Sequence, residues 1–289
     1  MCRLFGFTAN APTRVECSLV HSINSLVAQS VNDMLGKQHE HGWGVAEYPD
    51  GVPVLEKQAW AAYHGEHFKK AAARVYAKVV IAHVRRATVG APDIKNTHPF
   101  TYGHWAFAHN GTVPNFDRVR DILLDEIDPL HRNEIGGSTD SEHIFRYLLS
   151  LYAHEPERPL IDILRHGLWR IVQLSQGVDP EAPIGLNIMW SDGQHLVGSR
   201  LGRTLWYLKR DGTHICQVCG ERHVHHEFEH GYRAVEIASE PITDDDNWQE
   251  VPNGTLYAVD PDMNVHFHAF ESRKEDTFDV PPDETPDIS

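Results

Sequence analysis

Val79-Val80-Ile81-Ala82-His83-Val84-Arg85-Arg86-Ala87-Thr88 begins as an almost continuous apolar run and ends in two arginines. A short apolar run rich in β-branched residues predicts a strand that is buried on both of its faces. The two arginines follow at the point where this strand leaves the core. They are therefore the first polar side chains to consider as candidates for a functional site.

Outward from this strand, short strands alternate with a few helices along the chain. Helical spacing of apolar residues predicts helices at residues 18–30, 116–127, 142–152 and 160–174. Other strand patterns lie at residues 4–7, 43–48, 52–55, 105–108, 185–190, 195–199, 204–209, 234–238, 256–259 and 265–270. Asp192-Gly193 and Asp211-Gly212 predict hairpin turns between strands. With no internal repeat and no dividing linker, the pattern predicts one α+β domain rich in sheet.

Composition and charge argue against several classes of function. The 289 residues carry 26 Lys and Arg against 41 Asp and Glu, a formal net charge of −15. This acidity argues against binding to nucleic acid or to an anionic membrane. No apolar run approaches the roughly 20 residues that span a bilayer, and the N-terminus lacks the pattern of a secretory signal. Four cysteines in a chain of this length fit a reducing compartment, so we expect a cytoplasmic protein.

Cys2 is a candidate nucleophile because of its position in the chain. An initiator methionine is removed when the next residue is small, and the mature chain then begins with cysteine. Its α-amine, with a pKa near 8, can act as the base for its own thiol at neutral pH. The alternative is that cysteine occupies the second position by chance.

Two further segments offer donors for an anionic substrate. An arginine at a strand end presents a planar fork to a carboxylate, and alternation allows only one of Arg85 and Arg86 to face a given site. An isolated Arg-Arg pair is otherwise an ordinary basic surface. Asn110 and Gly111, after the strand at 105–108, supply a side-chain amide and an unobstructed N–H, the two donors of an oxyanion hole. The alternative is a simple Asn-Gly turn.

A carboxylate near the start of the helix at 142–152 completes the set. In Gly137-Ser138-Thr139-Asp140-Ser141-Glu142, the side chain of Ser138, Thr139 or Asp140 caps that helix, or Asp140 accepts a hydrogen bond from a substrate ammonium. Together the segments supply a nucleophile, an oxyanion hole, a carboxylate clamp and an ammonium acceptor. Glutamine, or any γ-glutamyl compound, has the α-carboxylate, α-ammonium and distal acyl group that match them.

Seven segments occur in an order shared with a known family and cover most of residues 2–260. They are Met1-Cys2-Arg3-Leu4, Gly42-Trp43-Gly44-Val45-Ala46, His83-Val84-Arg85-Arg86-Ala87-Thr88, Asn96-Thr97-His98-Pro99-Phe100, Ala108-His109-Asn110-Gly111, Thr139-Asp140-Ser141-Glu142 and Ala238-Ser239-Glu240-Pro241. In these the chain resembles the class II glutamine amidotransferases, whose glutaminase domain is an N-terminal nucleophile hydrolase. It is most similar to stand-alone bacterial members without a synthase domain, relatives of the γ-glutamyl amidohydrolases of ergothioneine synthesis and glutathione breakdown.

The resemblance implies a fold and a domain boundary. The expected fold is a four-layer α-β-β-α sandwich, the N-terminal nucleophile hydrolase fold, with two stacked antiparallel sheets flanked by helices. The glutaminase domain would take residues 2–270, and residues 271–289 would form an acidic, disordered tail with little to bury. On this expectation 289 residues leave no room for an acceptor-modifying domain.

The resemblance also implies a role for each residue of the site. Cys2 would be the nucleophile, with Asn110 and the Gly111 N–H as the oxyanion hole. The substrate-binding residues share contact with the glutamate end of the substrate: Arg85 for the α-carboxylate, Asp140 for the α-ammonium, and Thr88 and His98 lining or closing the pocket. No cofactor is required for this catalysis.

Two positions depart from the pattern of the family. His41 precedes Gly-Trp-Gly where stand-alone members often have aspartate, so this part of the pocket rim is less acidic. Val89 follows Thr88 where members with a synthase partner often carry a polar residue. We therefore expect a different closing loop and a different preferred substrate.

A separate cluster predicts a metal site with an open alternative. Cys216-Gln217-Val218-Cys219-Gly220 has the form of a zinc knuckle, and His223 and His225 are further candidate ligands. There is no second cysteine pair, so the alternative is a polar hairpin insertion with inert cysteines. Cys17 is expected to be a buried small apolar residue.

Three functions therefore compete. The first is a stand-alone γ-glutamyl amidase that acts on a small-molecule substrate. The second is a glutaminase subunit that supplies ammonia to a separate synthase partner. The third is a catalytically idle relative that binds a ligand or a metal. The first is preferred over the third because every expected catalytic position is filled.

Overall fold

The computed structural model describes residues 2–270, in which thirteen strands and six α-helices alternate. The helices are α1 (Leu26–Val31), α2 (His67–Arg74), α3 (Phe116–Asp125), α4 (Pro129–Arg132), α5 (Asp140–His154) and α6 (Leu160–Val178). The strands are β1 (Arg3–Arg14), β2 (Trp43–Glu47), β3 (Val54–Gln58), β4 (Tyr76–Val84), β5 (Phe100–Tyr102), β6 (Trp105–Thr112), β7 (Gly185–Ser191), β8 (Leu196–Arg200), β9 (Trp206–Asp211), β10 (Arg233–Ala238), β11 (Gln249–Glu250), β12 (Thr255–Val259) and β13 (Val265–Ala269).

The strands form two antiparallel sheets. One has seven strands in the order β11-β9-β10-β1-β4-β2-β3, and the other has six in the order β13-β12-β8-β7-β6-β5. A continuous apolar core joins their inner faces, while α1 and α2 pack on the outer face of the first sheet and α5 and α6 on that of the second. The predicted four-layer α-β-β-α sandwich is confirmed. No helix within residues 2–270 is long and apolar enough to cross a membrane.

The strand β4, which contains the apolar run Val79–Val84, is buried on both faces as predicted. Val79 and Ile81 belong to the core between the sheets, whereas Val80, Ala82 and Val84 belong to the core beneath α1 and α2. The strand lies between β1 and β2 near the middle of its sheet. A run apolar at nearly every position is what two covered faces require.

The helix predicted for residues 18–30 is wrong, because serines interrupt it. A helical turn at Cys17–His21 ends at Ser22, whose backbone is extended (φ −62°, ψ 155°). The helix α1 starts afresh after Ser25, whose Oγ accepts the Ala28 N–H as an N-cap. Apolar spacing continues across the break, but the serine side chains favour two short segments over one helix.

One turn prediction fails, and one alternative is excluded. The alternative of an Asn110-Gly111 turn does not hold, since β6 continues past the predicted end at residue 108 to Thr112 and pairs with β7 from Ala106 to Thr112. The predicted hairpin at Asp211-Gly212 is not a tight hairpin. The Gly212 N–H bonds to the Tyr232 carbonyl at 2.8 Å, and the chain between them forms an insertion before β10. Four elements, α2, α4, β5 and β11, were not predicted, and the expected tail at 271–289 lies outside the described residues.

Candidate active site

Cys2 lies immediately before β1, at the centre of the seven-stranded sheet. The register Arg3↔Val84 places the start of β1 beside the end of β4. The Arg86 N–H donates to Cys2 Sγ at 3.4 Å, and the cysteine is half-buried. The pairing of two central strands therefore brings the candidate thiol against the turn that carries the two arginines.

The thiol of Cys2 lies in a mixed electrostatic environment. Burial raises its pKa, while the Arg86 N–H and the positive charge of Arg85 oppose the rise and the charge of Asp140 adds to it. Because the net pKa is raised, little thiolate is present at neutral pH. Attack by this sulfur therefore needs a base that takes the proton at the time of reaction.

The guanidinium of Arg85 is buried and holds the following loop. Its two NH₂ groups donate to the carbonyls of Val89 at 2.8 Å, Gly90 at 3.1 Å and Ala91 at 3.1 Å. These bonds use three of the five N–H donors, so two are left for a ligand. Burial lowers the pKa of Arg85, but a guanidinium stays charged at neutral pH. The side chain is thus a buried cation beside Cys2.

Asp140 is the first residue of α5 and is also buried. The capping role belongs to its neighbour, because Thr139 Oγ1 accepts the Glu142 N–H at 3.3 Å. The Asp140 carboxylate instead accepts the Val113 N–H and the Ser141 N–H, each at 2.8 Å. Since a carboxylate has about four acceptor positions, it retains capacity for an ammonium group. The bond to Val113 also ties α5 to the end of β6.

Asn110 extends from β6 across the space between the two sheets. Its Nδ2 donates to Ser239 Oγ at 3.3 Å, and the same Oγ accepts the Leu4 N–H at 2.9 Å. Its Oδ1 is buried and has no partner within residues 2–270. Ser239, which follows β10, therefore ties the amide of Asn110 to the backbone two residues from Cys2. The sequence placed Ser239 in a family-like segment but gave it no role.

Gly111 follows Asn110 on β6, and Thr88 contacts the last residue of the same strand. Any side chain at Gly111 would collide with the backbone of Gly185 on the neighbouring strand, so glycine is needed there for packing. Thr88 is exposed, and its Oγ1 lies 3.1 Å from Oγ1 of Thr112, the last residue of β6. The turn after β4 is thereby fastened to the strand that carries Asn110.

His98 occupies the interior rather than an open surface. Its ring lies 4.3 Å from that of His83 and 4.7 Å from that of Phe100, measured between centroids. Neither ring nitrogen has a hydrogen-bond partner within residues 2–270. The surroundings are those of a packing residue behind the site, with no contact that marks a role in closing it.

Buried histidines such as His98 predict a marked acid sensitivity of the fold. Burial lowers the pKa of His83 and His98 well below 6.5, and that of His39 to about 4. Below pH 6.5 the unfolded chain binds protons at these rings, whereas the folded chain does not. The free energy of unfolding therefore decreases as the pH is lowered. The expected loss between pH 7.5 and 5.5 is roughly 1.4 kcal/mol per ring, or about 4 kcal/mol for three.

Urea unfolding at the two pH values measures this loss. His98→Gln removes one titrating ring and should reduce the pH dependence by about a third, while His64→Gln, at an exposed position, should keep it. Equal free energies of unfolding at pH 7.5 and 5.5 would contradict the assignment of these rings as neutral in the folded state.

Arg3 anchors the start of β1 through a buried ionic network that sequence reasoning missed. Its guanidinium donates to Glu240 at 2.8 Å, to Asp33 at 2.6 Å and to the Cys2 carbonyl at 3.0 Å. Burial opposes ionisation of Asp33, but the Lys37 N–H and the Arg3 charge hold its pKa below the usual value. The only sequence signal was position, since Arg3 adjoins Cys2 and Glu240 adjoins Ser239.

His41, the residue that departs from the family pattern, contacts the same turn. Its Nδ1 accepts the Ala87 N–H at 3.0 Å, and its backbone N–H donates to the Arg85 carbonyl at 3.0 Å. The side chain of His41 thus supports the segment between Arg86 and Thr88.

A second cluster of polar side chains lies apart from this site. One ligand atom from each of Cys17, Cys216, Cys219 and His223 lies within 4.8 Å of the others. Cys17, expected to be an inert buried residue, joins the group. His225, expected as a ligand, lies outside it, and its Nδ1 is 3.3 Å from a carboxylate oxygen of Glu227. The two neighbouring histidines diverge because Val224, between them, turns into the core.

A model of the class II glutamine amidotransferases matches residues 1–278, and the chain therefore belongs to that family. The resemblance seen in the seven sequence segments is confirmed.

Two curated relatives match the chain in sequence over most of their length, and one solved structure matches its fold. The probable glutamine amidotransferase DUG3 of Saccharomyces cerevisiae is 28% identical, over 90% of this chain and 82% of the yeast protein. The gamma-glutamyl-hercynylcysteine sulfoxide hydrolase of Mycobacterium tuberculosis is also 28% identical, over 90% of this chain and 93% of its own. The solved glutamine aminotransferase class-II domain protein from Silicibacter pomeroyi superposes with a TM-score of 0.62, covering 94% of this chain and 100% of that one, at 21% identity. That likeness concerns the fold alone.

Proposed function

We propose that this protein hydrolyses the γ-amide bond of a γ-glutamyl compound, with Cys2 as the nucleophile. The observation that carries the proposal is that the Cys2 thiol lies near enough to a buried cation, Arg85, and a buried carboxylate, Asp140, for each charge to act on its pKa. A pair of opposite charges beside a nucleophile matches the two charged groups of an α-amino acid. A substrate bound by them extends its side chain towards the sulfur.

The binding roles follow from the donors and acceptors that remain available. The buried positive charge of Arg85 and one of its remaining N–H donors hold the α-carboxylate of the substrate. Asp140 keeps acceptor capacity beyond the N–H groups of Val113 and Ser141, and it receives the α-ammonium. Recognition of both charges limits the substrate to a γ-linked glutamate and leaves the group on the other side of the amide free to vary.

In the first half-reaction the sulfur of Cys2 attacks the γ-carbonyl carbon. After removal of Met1 the α-amine of Cys2 takes the thiol proton, which is needed because burial raises the pKa of the thiol. The carbonyl electrons move to oxygen, and Asn110 Nδ2 and the Gly111 N–H stabilise the resulting oxyanion. The carbon–nitrogen bond then breaks, and the departing amine takes the proton from the α-ammonium. The product is a γ-glutamyl thioester.

Ser239 orients the amide of Asn110 for this role. Ser239 Oγ accepts the Leu4 N–H and therefore has its own proton available for donation. A 180° rotation of the Asn110 amide reverses the contact seen between Nδ2 and Ser239 Oγ. Ser239 Oγ–H then donates to Oδ1, and Nδ2 takes the buried position where the unpartnered Oδ1 now lies. Both groups of the amide are then used, one for positioning and one for the oxyanion.

In the second half-reaction water hydrolyses the thioester. The α-amine of Cys2, deprotonated again, removes a proton from the water, and the same donors stabilise the second tetrahedral oxyanion. Collapse releases glutamate and restores the thiol. The mycobacterial relative, whose name states a γ-glutamyl substrate with a large amine portion, supports a leaving group larger than ammonia for this chain as well.

A substrate panel tests the proposal directly. Untagged protein is assayed for glutamate release from glutamine, glutathione and other γ-glutamyl amides, with N-acetylglutamine as the matched control. We expect release from at least one γ-glutamyl amide and none from N-acetylglutamine, because acetylation removes the positive charge that Asp140 binds. Turnover of N-acetylglutamine at the rate of glutamine, or no turnover of any γ-glutamyl compound by protein with a free Cys2, would contradict the proposal.

A further inference from the structure

The insertion between β9 and β10, residues 212–232, is held against the rest of the domain with almost no core of its own. Between Gly212 and Gly231 only Cys216 and Val224 are buried, while Ile215 and Val218 expose 60% and 44% of their surface. A segment with so little apolar burial needs another source of order, and in small loop structures that source is a disulfide or a bound metal.

Three thiols and one imidazole converge at this insertion. Cys216, Cys219 and His223 belong to it, and Cys17 reaches it from the helical turn after β1. Their ligand atoms lie within 4.8 Å of one another, and Cys219 Sγ is 3.3 Å from His223 Nε2. In a tetrahedral site with Zn–S near 2.3 Å and Zn–N near 2.0 Å, ligand atoms are about 3.5–3.8 Å apart. Small side-chain movements would therefore close the four donors on one ion.

The backbone around the cysteine pair is arranged as in a metal-binding turn. The Val218 N–H donates to Cys216 Sγ at 3.4 Å, and the Gly220 N–H bonds to the Cys216 carbonyl at 2.9 Å. Gly220 adopts a left-handed conformation (φ 76°) that a side chain would disfavour. An N–H donated to a sulfur stabilises the thiolate form that binds a metal.

The backbone of His223 is fixed to β1 independently of the cysteines. The Arg14 N–H bonds to the His223 carbonyl at 3.0 Å, and the next residue, Val224, forms an isolated bridge with Thr13. The end of β1 thereby places His223 and Cys17 on the same side of the insertion. The end of β1 therefore brings Cys17 close to His223, although nothing in the sequence indicated that these two residues belong together.

We infer that Cys17, Cys216, Cys219 and His223 form a structural zinc site that fastens the insertion to the end of β1. Three cysteine thiolates and one neutral imidazole are a common closed set for structural zinc, which leaves no open position for a substrate. Binding displaces the three thiol protons, which pass to solvent. The strand β1 separates this site from Cys2. It pairs along β4 from Val84 to Tyr76, a length of about 27 Å, so the zinc takes no part in the chemistry there.

Metal analysis of the untagged, full-length chain is the first test. We expect one zinc ion per chain, a fall of about 5 °C or more in Tm when a strong chelator removes it, and recovery on adding Zn²⁺. Reconstitution with Co²⁺ should give the absorption of tetrahedral thiolate coordination. Substoichiometric zinc in protein grown with adequate zinc, or a native Cys216–Cys219 disulfide in the mass spectrum, would overturn the inference.

A matched pair of variants tests the ligand set. His223→Ala should lose zinc and show the lowered Tm of the chelated protein, whereas His225→Ala, two residues away, should keep one zinc and the wild-type Tm. Cys17→Ser should lower the affinity for zinc at least tenfold in competition with a chromogenic chelator. Equal zinc retention by His223→Ala and wild type, or by Cys17→Ser and wild type, would contradict this assignment. These readouts do not involve amide hydrolysis, so they stand apart from the proposed function.

Discussion

Cys2→Ala is expected to abolish glutamate release from γ-glutamyl substrates, with a loss in kcat on the order of 10⁴-fold or more. The reason is that no other thiol in residues 2–270 lies beside Arg85 and Asp140, since the remaining three converge on the insertion. The fold should be unaffected, because the half-buried Cys2 side chain makes only a weak contact with Arg86. Steady-state kinetics and a thermal melt measure the two effects.

Two controls separate the thiol of Cys2 from its α-amine. Alanine, like cysteine, is small enough to permit removal of Met1, so Cys2→Ala changes the thiol and leaves the terminus free. A second variant with one additional residue retained before Cys2 keeps the thiol but blocks the amine, and it should also lose activity. Full activity of the blocked variant would exclude the α-amine as the base. Activity of Cys2→Ala would exclude the Cys2 thiol as the nucleophile.

Asn110→Ala is expected to lower kcat by about 100-fold to 1,000-fold with a smaller change in KM. The oxyanion forms only after attack. Loss of the amide that stabilises it therefore affects the transition state more than substrate binding. The variant also frees Ser239, which keeps its bond to the Leu4 N–H, and the loss of stability should be modest.

Asn187→Ala is the matched control for Asn110→Ala. Asn187 is the register partner of Asn110 on β7 and is equally buried, but its amide binds the Thr204 carbonyl and accepts the Leu201 N–H. We expect this variant to lower the free energy of unfolding while the folded protein keeps a kcat near that of wild type. The assignment of Asn110 would be wrong if the two variants had the same kcat.

The sequence predicted the elements whose signal is local. Alternation and apolar runs located β4, β7 and β12, because burial on one or both faces fixes the pattern of side chains in a strand. Thr139 was among the expected caps of α5 and is the residue that caps it. The arrangement of the elements in two stacked sheets came from the family resemblance rather than from periodicity.

What failed depends on tertiary contact. The strand predicted to end at residue 108 continues through Asn110-Gly111 to Thr112, because pairing with β7 and the close approach of Gly185 keep these residues in the strand. The partners of Arg3 lie 30 and 237 positions away, and no periodicity connects them. Cys17 and Cys216 lie near opposite ends of the described chain, and no local sequence pattern connects them. Long-range ionic and thiol clusters of this kind require the fold before they can be recognised.

The most direct test of the central claim is the intact mass of the protein during turnover, by rapid acid quench with a γ-glutamyl substrate. We expect a chain that lacks Met1 and that gains the mass of one γ-glutamyl group, located on Cys2 in the N-terminal peptide. The same chain without substrate should show no such adduct. A protein that retains Met1 and still releases glutamate, or an adduct on a residue other than Cys2, would contradict the account.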